Sequence, residues 1–372
     1  MAGPAWFTVI PRPEVGFTDQ LMQLSLFGRL GYALGLSFIY TPVANERTHE
    51  SVWQDFGIAQ AFADRTLDPA PPLTGVPVSD KYLKRRAVRD ADDLLAKLRS
   101  DIADIPAGQV IAFRIDGARR GLTRLVVKRP DLFPWPEAHE IRQAIQNAVP
   151  DTPFPHDARP KIAVHVRRGD VTVINAPWGT GYKIRPVERF IVSPEPLGAY
   201  HLRDFYTTLK RLQEAAGPNA ASALFSDGCG RAQSILESRP DDELGVDANR
   251  RRALMDYCEF EDLAFDAFRY LPATEVDVGE SLSGFRRLVR AIMDADIVLY
   301  SNAQRLAPKL IGAIGRPGAE KLLAELVHAD AYDPEKVREA GVSPDLAHFH
   351  PIHPQNFDMD PILRFAGTLG PG

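Results

Sequence analysis

Cysteine is nearly absent from this chain. Cys229 and Cys258 are the only two, too few for a disulfide framework, and their spacing fits no zinc motif. Both are expected to be reduced thiols. An excess of positive charge is missing as well: 44 Lys and Arg stand against 49 Asp and Glu, for a net charge of −5. That excludes a protein that coats nucleic acid, though it leaves room for a local basic pocket. No apolar run is long enough to span a bilayer. The opening stretch MAGPAWFTVIPRPEVG has neither a basic n-region nor a long apolar h-region. No secretory signal is therefore expected, and the expected location is cytoplasmic. Internal repeats are lacking. So is a Gly-x-Gly-x-x-Gly turn after the first strand, which speaks against a dinucleotide oxidoreductase.

What the chain does have is alternation. WFTVIP (6–11) reads as a strand, DQLMQLSLFGRLGYALG (19–35) as an apolar helix, and SFIYTP (37–42) as a second strand stopped by Pro42. VIAFRI (110–115) is a third strand, with helices expected near 91–104 and over 137–149. After the Pro-rich stretch PDTPFPHDARP (150–160) the pattern restarts. KIAVHV (161–166), SALFSD (222–227) and DIVLYS (296–301) read as strands; 201–216, 281–295 and 303–315 read as helices. The stretch 238–262 reads as charged and irregular. Strands alternating with helices imply an α/β protein with open parallel sheets. The expected division is an N-terminal Rossmann-like domain over 1–155, a second over 156–318, and a tail over 319–372 with one more helix, packing back on the body.

In open parallel sheets, ligands bind beyond the carboxyl ends of the strands. VHVRRGD (164–170) sits at such an end. Side chains alternate along a strand, so Val164 and Val166 point one way and His165 and Arg167 the other. Arg168 is the second choice for the same pocket, because Gly169 lets the chain turn there. Two guanidiniums and an imidazole suit a phosphorylated ligand, since arginine forks onto phosphate oxygens at any working pH. The competing reading is that Arg167 and Asp170 pair and merely hold the turn. LFSDG places Ser226 and Asp227 at a second strand end, and VLYSNAQ places Ser301 and Asn302 at a third, just before a helix. A helix N-terminus is an anion site, although Ser301 or Asn302 could simply cap it. Asp227 would repel phosphate but could accept N–H bonds from a guanine edge; a turn with Gly228 explains it equally well locally.

These residues resemble a known family, the GT-B fucosyltransferases: the α-1,6 enzymes, the α-1,2 enzymes and the protein O-fucosyltransferases. VHVRRGD is similar to their first donor-binding motif, GFTDQLMQL (16–24) to their N-terminal glycine turn, FSDG to a short motif ending in aspartate, and ADIVLYSNAQRLAPKL (295–310) to the last. The resemblance covers about 16–42 and 161–315. It implies two facing Rossmann-like domains, with GDP-β-L-fucose held mainly by the second. It implies His165 and Arg167 on the diphosphate, Arg168 supporting them, Asp227 on guanine, and Ser226, Ser301, Asn302 and Gln304 along the nucleotide. Gly16 and Phe17 would meet the diphosphate from the first domain. The implied reaction is inverting transfer of fucose to a hydroxyl of a glycan or glycoconjugate. No cofactor or metal is expected, because arginine would take the cation's part.

Three Asp-x-Asp strings exist, at Asp90–Asp92, Asp294–Asp296 and Asp358–Asp360, but each is placed where helix ends, strand starts or tail packing explain it. His348, His350 and His353 resemble a ligand cluster, yet Pro351 and Pro354 break any regular face there. The base is harder to find. Where the α-1,6 enzymes carry a lysine and a glutamate after the first motif, this chain has VTVINAPWG. Asp170 is the nearest carboxylate, with Glu188 and Glu195 behind it. Trp53, Phe56, Trp178 and Tyr182 could stack on a sugar ring, or be ordinary packing. A different nucleotide-sugar donor, or a catalytically silent binding protein, are the alternative readings.

Overall fold

A computed structural model describes residues 6–12, 16–40, 56–66, 72–167, 202–241, 247–279, 281–301, 306–319, 321–326, 346–352 and 359–369. The chain divides into two compact units. The first comprises the described residues of Met1–Pro150, Pro308–Ala319 and Asp333–Leu346, and the second those of Asp151–Ala307, Glu320–Tyr332 and Ala347–Gly372. This revises the expected division at 155 and 318. The stretch Pro308–Ala319 belongs to the first unit, where Arg142 Nη1 donates to the carbonyls of Ile314 (2.7 Å) and Gly315 (3.1 Å).

The first unit is built on four parallel strands, β1 (Trp6–Val9), β2 (Ser37–Phe38), β3 (Leu73–Pro77) and β4 (Val110–Arg114), in the order β2-β1-β4-β3. Helix α1 (Phe17–Ala33) follows β1. Two glycines inside it, Gly28 and Gly31, each cost about 1 kcal/mol of helix propensity relative to alanine. The packing explains them: a Cβ at Gly31 would lie 2.5 Å from the Phe7 ring, and one at Gly28 would lie 1.9 Å from Trp135. Phe7 in turn meets Phe38 and Phe113 at centroid distances of 5.4 and 6.0 Å. Beyond the short turn of helix Ile58–Ala61, the helices that follow within Met1–Pro150 are α2 (Asp80–Arg85), α3 (Ala91–Ile102), α4 (Arg120–Val127) and α5 (Glu137–Ala148).

The second unit carries six parallel strands: β5 (Lys161–Val166), β6 (Ala221–Ser226), β7 (Thr274–Val278), β8 (Ile297–Ser301), β9 (Leu322–Leu326) and β10 (His348–Ile352). Their order is β10-β9-β8-β5-β6-β7. Counted from β5 as the first strand, this is the doubly wound dinucleotide-type order, whose direction reverses between its first and fourth strands. Its helices are α6 (Leu202–Ala216), α7 (Gly230–Ser238), α8 (Ala248–Ala264), α9 (Leu282–Asp294) and, after α10 (Leu306–Ile314), most of which falls in the first unit, α11 (Asp360–Leu369).

One face of this sheet is mainly apolar. Ile162, Val164 and Val166 join Leu224 and Leu299 there, under Phe205 and Leu209 of α6 and Ile362 of α11. Each such side chain, once buried, contributes roughly 2 kcal/mol. The other face is covered by α9, whose Arg287 guanidinium lies over the Phe225 ring at 6.0 Å. The tail, expected to carry one helix and pack back on the body, also contributes strands to the sheet. β9 and β10 extend it, and α11 packs on α6. The stretch 238–262, expected to be irregular, contains most of α8. Pro351 is tolerated in β10 because that strand is at the edge, where one side of the ladder needs no donor. Among the described residues, no helix is long and apolar enough to cross a membrane.

Candidate functional site

The reversal of strand order places the natural ligand crevice at the carboxyl ends of β5 and β8. β5 delivers His165 to that edge. Its neighbours in register are Phe225 on β6 and Tyr300 on β8. Because Val164 and Val166 are committed to the apolar face, strand alternation puts His165 on the opposite one. Arg167 itself follows the last residue of β5, close enough for its charge to act on His165.

His165 is buried, with 7% of its surface exposed. Its Nδ1 has no hydrogen-bond partner among the described residues. Burial, and secondarily the nearby Arg167 charge, press the imidazole pKa down to about 3. The imidazole is therefore neutral, with a polar atom unpaired among the described residues. Leaving such an atom buried costs about 1–3 kcal/mol, a cost that a ligand's hydrogen bond would remove. Arg167, half-buried at the strand end, carries the positive charge.

At the end of β6 the chain turns sharply. Gly228 N–H donates to Ser226 Oγ at 3.0 Å, and Gly279 N–H donates to the Ser226 carbonyl at 2.9 Å. The Ser226 hydroxyl, expected to face a nucleotide, thus serves as the acceptor that shapes the turn. Gly228 sits at φ 62°, and a Cβ there would approach Val278 Cγ1 to 3.2 Å and Asp262 Oδ1 to 3.3 Å. Asp227 is half-buried at the tip of this turn. Asp262 on α8 holds the turn from behind, accepting the Cys229 N–H at 3.0 Å. Nothing local in the sequence singled out Asp262, because it acts across 33 residues.

Ser301 ends β8 and is buried, 2% exposed. Alternation places its side chain with Leu299, on the face opposite His165. Arg168, Asp170, Asn302 and Gln304 lie outside the described residues, as do Glu188, Glu195, Trp53, Trp178, Tyr182, His353 and Asp358.

In the first unit, Gly16 is the N-cap of α1, in an extended conformation (φ −66°, ψ 162°). A Cβ there would touch nothing within 4 Å, so the backbone is open to approach. Phe17 is different. Its ring is buried and stacked on Phe56 at 5.0 Å, so neither ring is on the surface to meet a phosphate or a sugar. Asp19, in the first turn, is held by Arg119 Nη2 (3.1 Å) and Lys309 Nζ (2.7 Å).

The Asp-x-Asp carboxylates have other work. Asp90 caps α3 by accepting the Asp93 N–H at 2.8 Å, Asp294 pairs with Arg290 at 2.6 Å, and Asp296 accepts the Lys161 N–H at 2.8 Å. Among the described residues, no three His, Cys, Asp or Glu side chains are grouped so as to hold a metal ion.

No family model and no curated protein matches the chain. Among solved structures, it is similar to the E. coli ADP-heptose LPS heptosyltransferase II, at 13% identity and a TM-score of 0.35, covering 98% of each chain. It is also similar to POFUT1 in complex with GDP-fucose, at 12% identity and a TM-score of 0.37, covering 94% of this chain and 98% of that one. POFUT1 in complex with GDP gives 10% identity, a TM-score of 0.33, and coverage of 92% and 98%. Likenesses this remote identify neither a ligand nor a reaction.

Proposed function

We propose that this chain is a glycosyltransferase that binds a guanosine diphosphate sugar at the carboxyl edge of the second sheet. The reading names GDP-fucose as the donor and a hydroxyl of a glycan or glycoconjugate as the acceptor. The observation that carries it is the placement of His165 and Arg167 at the strand-order reversal, one with an unsatisfied polar atom and the other with a fixed charge.

The chemistry follows from charge. When the acceptor oxygen attacks the anomeric carbon, the sugar–phosphate bond breaks and negative charge grows on the departing β-phosphate oxygen. A guanidinium already aimed at that oxygen stabilises the transition state more than the bound donor, which is what accelerates the step. Arg167 takes that role. Neutral His165 hydrogen-bonds a phosphate oxygen or the sugar and orients it. Asp227 accepts N–H bonds from the guanine edge, at the tip of a turn that Ser226 and Asp262 keep in shape. No metal is assigned a part, because Arg167 supplies the charge a cation would. Attack opposite the leaving group makes the transfer inverting.

A second reading is supported by the sequence after the motif. VTVINAPWG contains no group that could take the acceptor's proton. A protein that binds the sugar nucleotide without turning it over fits that feature. One experiment separates the two: thermal shift and donor hydrolysis with GDP, GDP-fucose and other nucleotide sugars, with and without EDTA. Stabilisation by guanine nucleotides with turnover supports the transferase. Stabilisation without turnover on any glycan supports the binding protein, and preference for uridine nucleotides overturns the donor.

A further inference from the structure

The chain's two cysteines lie in different elements, and the fold brings them together. Cys229 closes the turn after β6 and N-caps α7. Its N–H is held by Asp262 Oδ1 at 3.0 Å, and Gln233 Nε2 donates to Asp262 Oδ2 at 3.5 Å. Asp262 lies one helical turn beyond Cys258 on α8, so the two share a face of that helix. The same face therefore presents Cys258 to Cys229, and each thiol shifts the titration of the other. Farther along this helix pair, Arg251 Nη1 of α8 donates to the Leu236 carbonyl of α7, so the two helices are tied on both sides of the thiols. Both cysteines are reduced here. Both thiols are buried, so peroxide reaches them as the turn or α8 opens locally. The Cys258 thiol is the more acidic, because its interaction with Cys229 holds it below the ordinary thiol value.

We infer that Cys229 and Cys258 form a modification site, a reversible disulfide that clasps the Asp227–Gly228 turn to α8. The oxidant is a peroxide. The Cys258 thiolate attacks one peroxide oxygen, the O–O bond breaks, and Cys258 becomes a sulfenic acid as the other oxygen leaves as water. The Cys229 sulfur then displaces the sulfenic oxygen, which leaves as a second water. The two thiols lose two electrons and two protons, and hydrogen peroxide is reduced to two waters. A thiol reductant restores the pair. The bond forms whether or not the turn binds a nucleotide, so its test is independent of the function proposed above.

The full-length protein is treated with hydrogen peroxide, unfolded, alkylated and weighed. Amide exchange is followed in parallel over residues 226–230. The disulfide gives a mass lower by two hydrogens and no alkylated cysteine, reversed by dithiothreitol. Exchange in the turn slows about tenfold or more, because opening it must now strain a covalent link. Thermal unfolding rises by several degrees, since the bond closes a loop of about 30 residues. Cys258→Ala and Cys229→Ala each abolish all three changes. Two alkylatable thiols after peroxide, a gain of oxygen mass, a disulfide between chains, or an unchanged response in Cys258→Ala overturns the inference.

Discussion

Arg167 follows His165 by two residues at the end of β5, and its guanidinium reinforces the burial that keeps the imidazole uncharged. The pair thus divides its labour. Arg167 holds charge, and His165 holds a hydrogen-bonding position without charge.

Arg167→Ala should cut donor turnover by roughly 100- to 1,000-fold, the scale for losing one preorganised donor at a developing oxyanion. Steady-state kinetics with GDP-fucose measures it, with circular dichroism checking the fold. Arg167→Lys should recover only part of the rate, because an ammonium lacks the fork. EDTA should leave the wild-type rate unchanged.

The pH dependence of stability has a definite sign. The folded pKa of His165, about 3, lies below the ordinary value of 6.5. The unfolded chain therefore binds a proton that the folded chain refuses. The stability contributed is complete above pH 6.5 and is lost progressively as pH falls toward 3. Urea titrations at several pH values should show it, and His165→Gln should flatten that part of the profile.

Gly228→Ala tests the turn. At φ 62° an alanine pays about 1 kcal/mol or more for the left-handed conformation, and its Cβ must also fit 3.2 Å from Val278 Cγ1. We expect a melting point lowered by a few degrees and guanine nucleotide affinity reduced at least as much as that displacement demands. A variant with unchanged stability and binding would remove the turn from the site.

Asp227→Ala should weaken GDP binding by about 10-fold or more and erase its preference over nucleotides that cannot donate from the base edge. Isothermal titration with GDP and UDP reads both. Equal loss for the two would assign Asp227 to the turn alone.

Lys321 offers a control far from the crevice. It sits at the amino end of β9, buried, and donates to the carbonyls of Ile292 (2.9 Å) and Met293 (3.3 Å) at the end of α9, as well as to that of Ala295. Lys321→Met should cost about 1–3 kcal/mol in urea denaturation by leaving those carbonyls unpaired. Nucleotide affinity should not change.

Much of the frame was legible in the chain. KIAVHV is β5 over the expected residues, and the alternation that separates His165 from the valines holds. Those segments are strongly patterned and carry β-branched residues, so local preference and tertiary role agree. Other segments hid. β9 reads LLAEL, all residues that favour helices; it is a strand because β8 and β10 flank it, not because of its own propensity. β7 is a five-residue edge strand bearing Glu275 and Asp277, charges that mask its pattern while Arg287 pairs with both. α8 carries no clear apolar stripe: among its described side chains only Leu254, Cys258 and Glu261 are buried.

The sequence by itself determined the parallel α/β class, the strand ends and which face His165 takes, because strand periodicity and glycine turns are local properties. Only the tertiary structure decided the strand order that places its reversal beside β5, the neutrality of His165, the capture of the Cys229 turn by Asp262, and the burial of Phe17 against Phe56. Each of these depends on partners far apart in the chain, which local patterning does not encode.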